Sequence, residues 1–152
     1  GISDDIGGRL FIDVPSKSAS LRTLNLRKNA LSDALCAEIV RAITNSNLSE
    51  VSLQSTAATS ETLRSLEECT TFNCLRLADR DGGYCDLRAR GLTDASATSV
   101  RRALTAGLHL VNLDLMNNSF SEAGLDLIRL GVCEQGLLSD LSFGQNPGAA
   151  TP

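Results

Sequence analysis

The sequence predicts an α/β solenoid, a horseshoe segment with parallel strands on its concave face and helices on its convex face. Three observations carry that expectation. The pattern L-x-x-L-x-L-x-x-N-x-L, complete from Leu21 to Leu31, recurs along the chain. Its copies begin at Leu21, Leu48, Gly82, Leu110 and Leu138, giving steps of 27, 34, 28 and 28 residues. Between copies, apolar residues fall at helical spacing, and a step near 28 leaves room for a full helix after each strand. Strands about 4.8 Å apart backed by helices about 10 Å apart would force the chain to curve.

Taken in order, Ile2-Ser3-Asp4-Asp5 reads as the last consensus position of an earlier turn and the start of its helix. Leu24 and Leu26 then alternate with polar residues, the period of a short strand. Asn29 follows, where a side-chain amide can bond backbone groups left unpaired as the chain leaves the sheet. After Ser32, a plausible helix N-cap, Leu35, Cys36, Ile39, Val40 and Ile43 share one helical face. A worn copy, Leu48-x-x-Val51-x-Leu53-x-x-Thr56, leads through Thr59-Ser60-Glu61 to a helix with Leu63, Leu66 and Cys69 inward. The long step ends in Phe72 to Tyr84, where Cys74 to Ala78 looks strand-like and Asp81-Gly82-Gly83 is a turn signal. The favoured expectation for 72–84 is an irregular hairpin-like insertion; the alternative is a degenerate repeat, Phe72-x-x-Leu75-x-Leu77.

The pattern resumes in Gly82-x-x-Cys85-x-Leu87-x-x-Arg90-x-Leu92, with a helix after Thr93-Asp94 carrying Val100, Ala103 and Leu104. Leu110-x-x-Leu113-x-Leu115-x-x-Asn118-x-Phe120 follows, then a helix after Ser121-Glu122 with Leu125, Ile128 and Val132. The last copy is Leu138-x-x-Leu141-x-Phe143-x-x-Asn146. Thr56 and Arg90 stand where the consensus has Asn, so the middle should be less regular. Neither end shows the polar cap that a free-standing array requires. Residues 1–152 therefore read as one array of about five repeats, cut from a longer protein.

By consensus and period the chain resembles the ribonuclease-inhibitor-like class of leucine-rich-repeat proteins. That class includes ribonuclease inhibitor, the Ran GTPase-activating protein, tropomodulin and the sensor domains of NOD-like receptors. The resemblance spans nearly the whole chain and implies architecture more than function, because such relatives share a scaffold and little else.

Composition narrows the function classes. The chain is 42% hydrophobic and 21% charged, with 3% aromatic residues and no Trp, so its core must be aliphatic. A net charge of −4 disfavours nucleic acid or an anionic membrane as partner through a general field. No run has the length of a membrane span, and no signal peptide opens the chain. Five cysteines, an odd number in no dense framework, point to reduced thiols in an intracellular, cytoplasmic setting. The sequons Asn47-Leu48-Ser49 and Asn117-Asn118-Ser119 are the only counter-indication, and motifs so short arise by chance.

Chemical constellations are missing. Cys69, Cys74 and Cys85 form no C-x-x-C pair and His109 is the sole histidine, so zinc lacks its tight ligand pairs. Cys36, Cys69 and Cys85 fall at inward positions, where a thiol packs as a small apolar group. Asp79-Arg80-Asp81-Gly82 starts like a calcium loop, but Gly83 and Arg90 occupy ligand positions. Gly7-Gly8-Arg9 lacks the lysine and spacing of a P-loop, and no nucleophile–base set or acid/base carboxylate pair is present. The expectation is a chain without catalytic residue, metal or cofactor.

What remains is the polar side of the strands. Position three reads Thr23, Glu50, Tyr84, Asn112, Asp140; position five reads Asn25, Ser52, Asp86, Asp114, Ser142; position seven reads Arg27, Gln54, Arg88, Met116, Gly144. Acid gathers through Asp86, Asp114 and Asp140, with Arg27, Lys28 and Arg88 expected on the opposite rim. Tyr84 is the one large aromatic on the face, and Tyr and Arg are frequent interface hot spots. The residues expected to bind a protein partner are Asn25, Arg27, Lys28, Glu50, Ser52, Gln54, Tyr84, Asp86, Arg88, Asn112, Asp114, Asn117 and Asp140. Each taken singly reads as a solvated polar residue; together they read as a recognition surface in an intracellular scaffold or sensor, meeting a basic patch. Two other readings stand beside it: a GTPase-activating regulator resembling the Ran activator, and an extracellular receptor ectodomain prompted by the sequons.

Overall fold

The computed structural model describes residues 1–4 and 6–149; Asp5, expected at the start of a first helix, lies outside them. Helices α1 (Ile6–Lys17), α2 (Asp33–Ile43), α3 (Ser60–Arg80), α4 (Asp94–Thr105) and α5 (Glu122–Gln135) alternate with three-residue strands. The strands are β1 (Thr23–Asn25), β2 (Glu50–Ser52), β3 (Tyr84–Asp86), β4 (Asn112–Asp114) and β5 (Asp140–Ser142).

The expected single solenoid is not what forms. β1 pairs only with β2, and β3, β4 and β5 make a second sheet. The chain divides into two compact units, Gly1–Asn73 and Cys74 onward. The protein is thus an α/β chain of five helices with two small parallel sheets, not one horseshoe with a continuous concave face.

The 34-residue step explains much of this difference. No strand or hairpin interrupts 72–84; α3 runs unbroken for 21 residues to Arg80. No Gly or Pro lies between Ser60 and Asp81 to stop it. Its buried residues include Thr62, Leu66, Asn73, Cys74 and Ala78, a helical spacing in which polar members alternate with apolar ones. Asn73 is wholly buried and donates through Nδ2 to the carbonyls of Ile43 and Leu48, each at 2.9 Å. The helix closes where Gly83 N–H reaches the Ala78 carbonyl at 2.7 Å, with Gly82 and Gly83 both at positive φ, so the turn expected at 81–83 is present.

In the first unit, Thr23 pairs with Glu50 and Asn25 with Ser52 in parallel register. Leu26, Leu31, Cys36, Ile39, Ile43, Leu48 and Leu53 are almost fully buried, while Leu24, Val51 and Cys69 are partly buried against them. Leu63, expected inward, is 43% exposed. In the second unit, Tyr84, Asn112 and Asp140 stand in one row and Asp86, Asp114 and Ser142 in another. Leu113, Leu115 and Phe120 are inaccessible to solvent, as are Val100 and Ala103 of α4. Leu141 and Phe143, on and just after β5, are only half-buried, whereas Cys85 and Leu87 at the opposite edge of the sheet are buried.

Strands this short leave most carbonyls at their ends outside the ladder, and asparagine amides take them up. Asn118 Nδ2 donates to Leu87 and Leu115 carbonyls at 2.9 Å, while its Oδ1 accepts from Arg90 and Leu92 N–H groups at 3.1 Å. Asn146 donates to Leu115 and Phe143 carbonyls and accepts from Phe120 N–H. Asn29 accepts from Ile2 N–H at 2.8 Å and donates to the Leu26 carbonyl. Thr56, with a single hydroxyl proton, donates to the Leu53 carbonyl alone, while its Oγ1 accepts from Ala58 N–H and Cys36 Sγ. Between β2 and β3 the consensus amide is therefore missing on both sides, at Thr56 and at Arg90.

The outer turns carry a second tie, which the sequence reading did not contain. The acid at the start of one helix, or the turn before it, holds the cap of the next. Asp4 accepts from Ser32 N–H, Asp33 from Thr59 N–H and Thr62 Oγ1, and Asp94 from Ser121 N–H and its hydroxyl. The caps themselves are as expected: Ser32, Thr93 and Ser121 accept from N–H groups two or three residues on.

Two stability outcomes follow. Asn118→Ala removes both donors and the acceptor from a buried position and should cost about 3 kcal/mol in chemical denaturation. Gly83 sits at φ +83°, and a methyl group there would lie 2.6 Å from the His109 carbonyl oxygen. Gly83→Ala should therefore lower stability by about 2 kcal/mol or more, seen as a fall in Tm.

Candidate functional site: the exposed sheet faces

Successive residues of a strand point to opposite sides, so burying Cys85, Leu87, Leu113 and Leu115 turns positions three, five and seven outward. All thirteen residues expected to bind a partner are exposed or half-exposed. They divide between the two units. Asn25, Arg27, Lys28, Glu50, Ser52 and Gln54 belong to the first unit, and Tyr84, Asp86, Arg88, Asn112, Asp114, Asn117 and Asp140 to the second. The three expected rows accordingly run across two strands in one unit and three in the other, because β2 and β3 are not partners.

The first-unit face is thinly tied. Thr23 Oγ1 and Glu50 Oε2 lie 3.4 Å apart across β1 and β2. Arg27, Lys28 and Gln54 are exposed, and Lys28 sits at φ +56° with its N–H on the Gln54 carbonyl.

The second-unit face is more organised. Tyr84 is 70% exposed and heads a row in which Asn112 Nδ2 donates to Asp140 Oδ2 at 2.9 Å. One row on, Arg88 is not on an opposite rim. It lies two residues past the end of β3, in the turn, and folds back onto Asp86 with Nη2 at 2.7 Å and Nε at 3.0 Å. The same Nε lies 3.4 Å from Asp114 Oδ2. The guanidinium and the Arg88 N–H together hold the Asp86 carboxyl well below its ordinary range, at about 2.

Three of the expected binding residues also have a structural task. Asn25, Asp86 and Asp114 each accept, through Oδ1, the N–H of the residue two places on, at 3.0–3.1 Å. This is the Asx turn, and it bends the chain out of each strand. Its signal was present in the sequence as Asn or Asp recurring at position five. Asn117, like Lys28, adopts positive φ, at +56°, with its N–H on the Gly144 carbonyl.

The remaining reactive side chains sit elsewhere. Cys36 and Cys85 are buried and Cys69 is half-buried. Burial, with Cys74 beside it, pushes the Cys85 thiol up to about 12, so it stays protonated. Cys74, expected on a strand, is buried on α3 within reach of Arg90 Nη1 at 3.5 Å. His109 is 80% exposed beside Asp79, whose Oδ1 accepts the His109 N–H at 2.7 Å. Among the described residues, no group of three His, Cys, Asp or Glu is placed to hold a metal ion. Also among them, no helix is long and apolar enough to cross a membrane. Neither the protein-family models nor the curated proteins include a match to this chain.

Acid sensitivity follows from Asp86. Its folded-state carboxyl is depressed to about 2 against about 3.9 in an unfolded chain. The stabilisation is therefore complete above roughly pH 4 and lost as pH falls toward the folded value. Asp86→Asn should flatten that part of the acid limb, and carboxyl-carbon NMR titration should find the Asp86 midpoint well below the ordinary carboxylate range.

Proposed function

We propose that this chain is a non-enzymatic protein-recognition module, working inside the cell, that binds a protein partner on the outward face of its three-stranded sheet. One observation carries the reading. Tyr84, largely exposed, shares a row with Asn112 and Asp140 beside a second row that contains Asp86 and Asp114, onto which Arg88 folds. An exposed Tyr among ion-paired and hydrogen-bonded polar side chains has the composition of an interface centre. The short parallel strands hold these side chains on a regular grid, which limits the entropy lost on binding. An intracellular setting is supported by five cysteines that are all free thiols.

The test is a paired replacement, Tyr84→Ala with Asp140→Lys, on two residues that cap no turn. Any partner isolated with the wild-type chain should lose about 30-fold or more in affinity, the scale of a hot-spot loss. Retained affinity, measured by calorimetry on the purified pair, would place the binding surface elsewhere.

A further inference from the structure

The three-stranded face carries three carboxylates, Asp86, Asp114 and Asp140, and one guanidinium, that of Arg88, which is already engaged. Arg88 touches Asp86 through two nitrogens and approaches Asp114 through one of them. This fork-on-carboxylate arrangement is how an arginine from outside would dock. Yet Arg88 and Asp86 are both more than half exposed, at 55% and 59%, and ion pairs so exposed contribute little and exchange readily. Beside them stands Tyr84, whose open ring is a platform for a planar cation. Asp140 lies in the Tyr84 row and receives one bond, from Asn112.

We infer that the β3–β4–β5 face accepts an arginine-bearing basic segment of a protein partner, and that Arg88 is its built-in occupant, holding the position the partner's guanidinium takes. This rests on the recognition reading above and adds the chemistry of the partner. One incoming arginine stacks on Tyr84 as it displaces Arg88 from Asp114, and a second pairs with Asp140 on the far strand. The diagonal separation of neighbouring-strand positions, about 7–8 Å, suits side chains two apart on an extended peptide. A useful sign follows. Loss of Arg88 both removes a like charge and vacates a site, so it strengthens binding of a basic segment more than loss of an equal charge elsewhere on the chain.

The chain supplies its own probe. Tyr84 is the only Tyr and Trp is absent, so intrinsic fluorescence above the phenylalanine band reports on this face alone. The experiment titrates the intact chain with a blocked hexa-arginine peptide, and with hexa-glutamate as control, at low and at physiological salt. A saturable change in Tyr84 emission with the arginine peptide only, weakened by salt, is expected. Arg88→Ala should bind about three- to fivefold more tightly, the scale of an exposed ion pair, and Asp140→Asn should bind more weakly. Arg88→Gln keeps the side-chain stem and removes the charge, so the same tightening there excludes a change in folding, while Arg64→Gln, which removes an equal charge from α3, should tighten binding less and so separates vacancy from net charge. Weaker or unchanged binding in both Arg88 variants overturns the built-in occupant. Absence of a saturable change with the arginine peptide, or an equal response to hexa-glutamate, overturns the basic partner. If that happens while a natural partner is still lost on Tyr84→Ala with Asp140→Lys, the recognition face stands and only its assigned chemistry falls.

Discussion

Side-chain amides inserted among backbone groups at the strand ends are the constraint on which the rest of this structure depends. Three-residue strands make few ladder hydrogen bonds, and the chain leaves each one through a residue at positive φ, as at Lys28, Ala89 and Asn117. That exit strands carbonyls and N–H groups where water does not reach, and an unsatisfied buried polar group is expensive. Asn118 answers for four such groups at once, two carbonyls and two N–H groups drawn from consecutive turns. Asn146 does the same for Leu115, Phe143 and Phe120. An amide is the one short side chain with both donors and an acceptor, so neither Thr nor Arg substitutes for it.

Where the amide is missing, the architecture changes. Thr56 and Arg90 flank the longest step in the repeat, and that step is occupied by a single helix. Asn73, on that helix, supplies amide bonds to Ile43 and Leu48 carbonyls from a helical position instead of a strand exit. The same chemistry thus serves two geometries, and the two sheets remain separate.

Much of the local structure was legible. The strand register within each sheet, the N-caps Ser32, Thr93 and Ser121, and the burial of Leu26, Leu53, Leu87, Leu113 and Leu115 all sit where periodicity and cap chemistry place them. The continuous α3 was not. Its buried face includes Thr62, Thr71 and Asn73, so hydrophobic periodicity understates it, while Leu75-x-Leu77 imitates a strand. The single horseshoe expected from consensus, period and helical spacing does not form; the sheet pairing breaks between β2 and β3, where two turns lack the amide. At the candidate site, the outward residues were legible but their partners were not. Arg88, expected on the opposite rim, comes back from the turn after β3 onto Asp86 and Asp114, a contact that strand periodicity does not report.

The outward face of the three-stranded sheet inherits its order from those inner bonds. Asp86 and Asp114 are fixed by the N–H groups they cap, and the rows they stand in are spaced by strands whose ends the asparagines hold. Native-state amide hydrogen exchange tests this dependence most directly. Arg90, Leu92 and Phe120 N–H groups each accept protection from an asparagine Oδ1 and not from a strand partner. They should exchange as slowly as the ladder amides of Leu87 and Leu115. Fast, loop-like exchange at those three positions, with Leu87 and Leu115 still protected, would contradict the account.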